Sequence, residues 1–145
     1  MTPLEAAIVR RKLRRIRGNA TTLERVVSPM TPASYDGDEI IRRAVERLLQ
    51  ESIDAAVDCN NHLLRTRGEP PAEDYFSSFV ALGRAGIIDA ALARRLAPAA
   101  GLRNRIVHEY EEIDHALILQ AAQSAPDELR AYVAAVEQYL DGANA

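Results

Sequence analysis

Apolar side chains recur every three or four residues over most of the chain, which is the period of helices that bury one face. The first such segment covers residues 2–27, with Thr2 as a candidate N-cap and Pro3 at the first helical position. Pro29 and Pro32 follow it and are expected to end the helix. Its predicted core-facing residues are Leu4, Ile8, Leu13, Ile16, Leu23 and Val27.

The rest of the chain continues the helical pattern and lacks the apolar/polar alternation that marks strands. Residues 68–71, rich in glycine and proline, close the second helix, and Pro98 is expected to stop a later one. These signals predict an all-α, up-and-down bundle of four to six helices within one domain of residues 1–145. The segments predicted after the first are 38–67, 75–84, 89–98, one from about 101, 114–123 and 126–140.

Composition adds limits on the class of protein. Aromatic residues are only 5% of the chain and tryptophan is absent, so the core must be mainly aliphatic. No apolar run approaches the roughly 18 to 20 residues that span a bilayer, and Arg10 and Arg11 follow a short apolar stretch, which is the wrong order for a signal peptide. The single cysteine, Cys59, is expected in the core and excludes an internal disulfide. We expect a cytoplasmic protein without membrane attachment.

The charge of the chain is unevenly distributed. The net charge is −3, yet residues 1–17 carry six cations against Glu5, a local balance of +5 that leaves −8 for the remainder. This basic strip has two interpretations that the sequence leaves open: it binds phosphates, or it is a solvated helix face that docks on an acidic partner. Its cations are Arg10, Arg11, Lys12, Arg14, Arg15 and Arg17.

The candidate chemistry is concentrated in residues 103–110. On a helix that advances about 100° per residue, Leu102 and Ile106 share the core-facing side, whereas Asn104 and His108 lie roughly opposite. Arg103 lies on a third side and does not align with His108. The two can converge on one ligand if Arg103 is at the start of a helix, or across a two-fold axis between two copies of the chain.

These residue types suit RNA cleavage. Attack by a ribose 2′-hydroxyl needs a group that removes its proton and one that protonates the leaving 5′-oxygen, and histidine does both near neutral pH. Arginine matches a phosphate and stabilises the charge that builds on its oxygens, and no metal is required. The alternatives are a structural histidine and a solvated one. The catalytic interpretation is favoured because Arg, Asn, His and Tyr occur within eight residues and His108 is turned away from the apolar stripe.

The stretch from Gly101 to Tyr110, GLRNRIVHEY, resembles the Arg-x4-His-x-Tyr motif of the HepT family in the HEPN superfamily of helical RNases. The likeness extends over about residues 38–140. Features outside the motif that fit it are residues 44–50, Asp58, His62, Pro71, Tyr75, Phe79, Gly86 and residues 96–98.

The resemblance implies a HEPN-like bundle that dimerises and brings two motifs to one cleft. It implies an endoribonuclease toxin of a toxin–antitoxin module, with RNA, by family likeness tRNA, as substrate and no cofactor. Arg103 and His108 would be the catalytic pair and Asn104 would support them. The partner would be an MntA-like nucleotidyltransferase that neutralises the toxin by transferring AMP to Tyr110.

A second polar group lies on the long helix before the motif, where Asp54, Asp58 and His62 are four residues apart and share one face. Such spacing can bind a metal, but the chain has one helix of this kind and no Glu-x-x-His pair, which argues against a di-metal site. We favour a polar network that orients Arg103 or His108, with Asp58 and His62 in supporting roles. His115 is expected to be solvated.

Two functions other than a nuclease remain open from the residues alone. One is a non-catalytic helical module that uses Arg103, His108 and Tyr110 to bind a nucleotide or a partner enzyme. The other is a scaffold protein in which the motif is a buried polar network.

Overall fold

The computed structural model describes residues 1–108 and 112–143, which form six α-helices and contain no β-strand. The all-α bundle predicted from the sequence is confirmed, at the upper end of the expected number of helices. The helices are α1 (Pro3–Val27), α2 (Pro32–Asp36), α3 (Glu39–Thr66), α4 (Tyr75–Arg84), α5 (Ala90–His108) and α6 (His115–Ala143).

Short polar side chains set where the helices begin. Thr2 forms a capping box with Glu5 at the start of α1, and the carboxylate of Asp114 accepts hydrogen bonds from the backbone N–H groups of Ala116 and Leu117 at the start of α6. The five-residue α2 was not predicted. Its signal is a capping box at Thr31, because the helix is too short to show an apolar period.

The two prolines expected to separate helices do not do so. Pro98 lies inside α5 and Pro126 lies inside α6, so the predicted breaks at 98–101 and 123–126 are wrong. Each proline removes a backbone N–H from the helix interior, but apolar residues on both sides of it are buried. Tertiary packing therefore outweighs the local cost, as it does for most helices in proteins.

The bundle buries two adjoining groups of apolar side chains. The larger lies between the first part of α1, the end of α3, α4, most of α5 and the end of α6; the smaller lies around Tyr35 of α2 and includes Ile106 of the motif. Leu4 and Ile8 were expected to face the core, but they are 72% and 38% exposed. The buried stripe of α1 instead begins at Ala6 and Val9.

Most of the basic strip on α1 is paired within the chain. Four of its cations form ion pairs with carboxylates of α3 and α6, which flank α1 on either side. Among the described residues no ion pair involves Arg11 or Arg14. The pairs are Arg10–Asp141, Lys12–Asp58, Arg15–Glu51 and Arg17–Glu137.

A buried polar network links α3, α4 and α6. The Tyr132 hydroxyl lies 2.5 Å from Asn60 Oδ1 and 3.0 Å from the carbonyl oxygen of Ala56, and Asn60 Nδ2 donates to Ser78 Oγ over 3.1 Å. The Ser78 hydroxyl donates to the backbone carbonyl of Tyr75. The first residue of α4 is therefore tied to the core.

Cys59 is fully buried in this core, as expected, and burial raises the pKa of its thiol to about 12. None of the helices in the described part of the chain is long and apolar enough to cross a membrane.

Candidate functional site

Arg103 is fixed against α3 by a direct ion pair. Its Nε donates to Asp54 Oδ1 over 2.8 Å, and the side chains of Arg103 and Asp54 are 18% and 35% exposed. Because α5 begins at Ala90, Arg103 lies well inside the helix. Of the two ways in which Arg103 and His108 could converge, a position of Arg103 at a helix start is therefore excluded, and convergence between two copies of the chain is left.

Tyr75, the first residue of α4, completes this cluster. Its hydroxyl donates to the same oxygen, Asp54 Oδ1, over 3.0 Å, and the Cζ of Arg103 lies 4.7 Å from the centre of its ring. Burial, and then the hydrogen bond to Asp54, raise the pKa of the Tyr75 phenol. The ring attracts the guanidinium through its negative face, so Arg103 is held from two directions.

The Asp54 contact uses only one donor of the guanidinium. Five N–H groups are available on an arginine, and the next described contact, from Nη1 to Asn104 Oδ1, is long at 3.5 Å. The terminal nitrogens of Arg103 thus keep capacity for a phosphate. Asn104 itself is exposed.

His108 differs from Arg103 in having no fixed partner among the described residues. It is the exposed last residue of α5, and the described residues provide no hydrogen bond or ion pair to its ring. The carboxyl end of a helix favours a cation, and Arg105 and His108 both lie in its last turn. Five residues of helix place His108 about 140° around α5 from Arg103.

The residues expected to support the motif contact other parts of the molecule. Asp58 is exposed and pairs with Lys12 over 3.3 Å, and His62 Nδ1 lies 3.0 Å from a terminal nitrogen of Arg65. Neither has a described hydrogen bond to Arg103 or His108. The residue of this helix face that meets the motif is Asp54, one turn earlier.

The Asp54–Asp58–His62 face gives no candidate metal site. In the described part of the chain, no group of three or more histidine, cysteine, aspartate or glutamate side chains is close enough to hold a metal ion.

Two further residues singled out in the sequence are His115 and Tyr110. His115 is half-buried with its ring edge-on to Tyr35, and its Nδ1 is buried without a described partner, so the expectation of a solvated side chain is wrong. Tyr110, the predicted site of AMP transfer, lies outside the described residues.

An apolar cavity of about 300 Å³ lies between α3, α5 and α6 and shares Arg103 with the cluster described above. No local sequence pattern predicts this cavity, because its walls come from three separate helices. Its lining includes Leu49, Ser52, Ile53, Leu102, Ala121 and Glu128.

Comparison with known proteins supports the family resemblance. The chain is similar to the tRNA nuclease HepT of Aphanizomenon flos-aquae, with 39% identity over 95 residues that cover 66% of this chain and 65% of that relative. The chain therefore spans a little under two thirds of that protein's length. It is 23% identical to the mRNA nuclease HepT of Shewanella oneidensis over 117 residues, which cover 77% of this chain and 88% of the relative.

The fold is also similar to that of a solved structure, the tri-AMPylated HEPN toxin of Shewanella oneidensis in complex with MNT antitoxin. The TM-score is 0.82 over 95% of this chain and 99% of that one, at 21% identity. A family model described as ribonuclease HepT-like matches residues 16–136, a range that contains Asp54, Tyr75, Arg103 and His108. This chain therefore belongs to the ribonuclease HepT-like family.

Proposed function

We propose that this protein is an RNA-cleaving toxin of the HepT type. The observation that carries the proposal is Arg103, held by Asp54 and Tyr75 on the same helix as the exposed His108. Among the described residues its terminal nitrogens make only one long contact, to Asn104. An arginine fixed in this way is pre-organised to bind a phosphodiester. Relatives in the same family carry the names tRNA nuclease and mRNA nuclease.

In the proposed reaction, the ribose 2′-oxygen attacks the adjacent phosphorus and displaces the 5′-oxygen of the next nucleotide. A base removes the 2′-hydroxyl proton, and an acid protonates the departing oxygen, so the products are a 2′,3′-cyclic phosphate and a 5′-hydroxyl. We assign proton transfer to His108. Arg103, supported by Asn104, stabilises the extra negative charge on the phosphoryl oxygens.

A homodimer supplies the geometry that one chain lacks. Arg103 and His108 diverge by about 140° around a continuous helix, so we propose that the Arg103 of one copy and the His108 of the other face a common cleft. This arrangement leads to a test by complementation, in which two inactive variants, Arg103→Ala and His108→Ala, are co-expressed. A mixed dimer would contain one intact site, so RNA cleavage should return.

We further propose that an MntA-like nucleotidyltransferase is the antitoxin and that it transfers AMP to Tyr110. The solved structure of similar fold is of an AMPylated toxin with its antitoxin, which supports this assignment. Phosphates added two residues beyond His108 would compete with RNA for the cations of the site. If Tyr110→Phe is still fully neutralised by the partner enzyme, Tyr110 is not the acceptor.

The proposal has three narrower parts: the class of RNA, the compartment and the domain organisation. A tRNA substrate is supported by the name of one relative, tRNA nuclease HepT. We propose the cytoplasm as the compartment because the toxin would encounter tRNA there. A single domain of residues 1–145 is supported by Ala125, which packs against both groups of buried apolar side chains.

The decisive experiment measures cleavage of total RNA and of purified tRNA by the full chain, with identification of the new RNA ends. Cyclic phosphate ends that vanish in both His108→Ala and Arg103→Ala support the proposal. If the wild-type chain binds RNA but never cleaves it, the protein is instead a binding module.

A further inference from the structure

The cavity between α3, α5 and α6 adjoins the proposed site directly, because Arg103 belongs to its wall. Most of its lining is apolar, with Leu49 and Ile53 from α3, Leu102 from α5 and Ala121 from α6. Its volume of about 300 Å³ is at the lower end of the range of small-molecule pockets and suits one flat heterocycle.

Two polar side chains, Ser52 and Glu128, belong to this lining. Ser52 is 1% exposed, and its hydroxyl has no hydrogen-bond partner among the described residues. Such a group carries a cost unless a ligand or water satisfies it. Glu128 is half-buried, and this burial raises the pKa of its carboxyl despite the nearby charge of Arg95.

The apolar lining of the cavity is bordered by positively charged side chains. Arg95, Arg103 and Arg105 all border the cavity, and Arg95 and Arg105 are exposed. A ligand that fits must therefore combine a flat, largely apolar body bearing hydrogen-bonding edges with an anionic group attached beside it. A nucleotide within an RNA strand has this combination, with its base as the body and its phosphate as the anion.

We propose that this cavity binds one base of the RNA substrate, next to the phosphate held by Arg103. In this arrangement Ser52 and Glu128 hydrogen-bond the edge of the base and the apolar walls cover its faces. The inference deepens the proposed nuclease function and rests on it, because it assigns base selection to residues outside the motif.

The test measures binding without cleavage. Single-stranded RNA hexanucleotides with 2′-fluoro in place of every 2′-hydroxyl contain no nucleophile, and a series with one abasic position moved along the strand locates any base that contributes. We expect one abasic position to weaken binding to the wild-type chain by about tenfold or more. Replacing Ala121 with leucine fills the cavity and should remove most of that difference.

Ala134→Leu is the matched control, since Ala134 is exposed on the same helix and does not line the cavity. It should preserve the abasic effect. Thermal unfolding checks that both variants fold. Should Ala121→Leu not fold, Glu128→Gln serves instead: it keeps the size of the side chain and should change which of the four bases binds most tightly.

Other outcomes separate the proposals. If every abasic strand binds equally well to the wild-type chain, no base pocket exists, even when intact RNA is cleaved. If Ala121→Leu instead dissociates a dimer seen by light scattering and weakens all strands equally, the cavity is a contact between copies and the inference fails. If binding depends on one base but 2′-hydroxyl RNA is never cleaved, the base pocket is supported and the proposed nuclease function is contradicted.

Discussion

The middle and the end of α5 carry the two main residues of the site, and they are built differently. Arg103 is mostly buried, ion-paired to Asp54 and stacked on Tyr75. His108, little more than one turn later, is exposed at the last residue of the helix, without a described partner. The chain thus holds the Arg103 guanidinium, which is suited to bind a phosphate, in one place. The described residues do not orient the His108 imidazole, which is suited to transfer protons.

This difference indicates what one chain is able to pre-organise. Holding an anion requires a cation in a defined place, and the α3–α4–α5 contacts provide it. Orienting an imidazole for proton transfer requires a neighbour within hydrogen-bond reach. In our proposal that neighbour arrives with the RNA or with a second copy.

We expect the largest effect on the rate of RNA cleavage when His108 is replaced. His108→Ala should lower the rate of RNA cleavage by about 10²- to 10⁴-fold, which is the usual contribution of acid–base catalysis. Because the side chain is exposed, the unfolding temperature should not change. His62→Ala is the control, and an equal loss of activity there would restore its predicted supporting role.

The next largest effect on cleavage is expected when the residues that hold Arg103 are changed. Asp54→Asn keeps the shape of the side chain but removes the charge that pairs with Nε, and cleavage should fall by about 10- to 100-fold. Tyr75→Phe removes only a hydroxyl and keeps the ring beneath the guanidinium, so its loss should be about two- to tenfold. If Tyr75→Phe costs more than Asp54→Asn, the ion pair is not what positions Arg103.

A third prediction concerns the core behind the site rather than the site itself. Tyr132→Phe leaves the buried Asn60 Oδ1 without its donor and should lower the free energy of unfolding by about 1–3 kcal/mol, measured by urea denaturation. Cleavage per folded molecule should stay the same, since the described hydrogen bonds of Tyr132 go to Asn60 and Ala56 and not to Arg103 or Asp54. A matching loss of activity would show that the site depends on this network.

The smallest effect is expected at an exposed ion pair remote from the motif. Hydrogen bonds from Arg130 lower the pKa of Glu24 below its ordinary value of 4.5. A carboxyl with a lowered pKa stabilises the fold above its unfolded-state pKa, and this contribution disappears as the pH falls through the folded-state value. Glu24→Gln should therefore lower the unfolding temperature slightly at neutral pH but not in acid below that value.

The sequence predicted the fold well because helix periods and caps are local signals. It failed where long-range packing outweighs a local rule, as at Pro98 and Pro126, and where a helix is too short for a period, as in α2. Leu4 and Ile8 were misassigned for a related reason: the apolar period continues to the start of α1, but the packed part of the bundle does not.

The site was predictable in part for the same reason. The spacing of residues 103–110 identified the motif, and the spacing of Asp54, Asp58 and His62 identified one polar face of α3. Period alone does not decide which of three equivalent positions meets Arg103. That depends on where α5 crosses α3, and the crossing brings Asp54 to the guanidinium. Tyr75 lies outside the motif, and its contact with Arg103 also depends on this crossing.

The buried Cys59 makes the chain convenient for measuring distances between copies. The pKa of this thiol is raised to about 12 and solvent does not reach it. It should therefore not react with maleimide or thiol-specific nitroxide reagents. A cysteine introduced at an exposed position of α5, such as Arg94, would then be the only labelled site in each chain. Spin labels placed there would report how far apart two α5 helices lie in solution, with no need to remove the native cysteine.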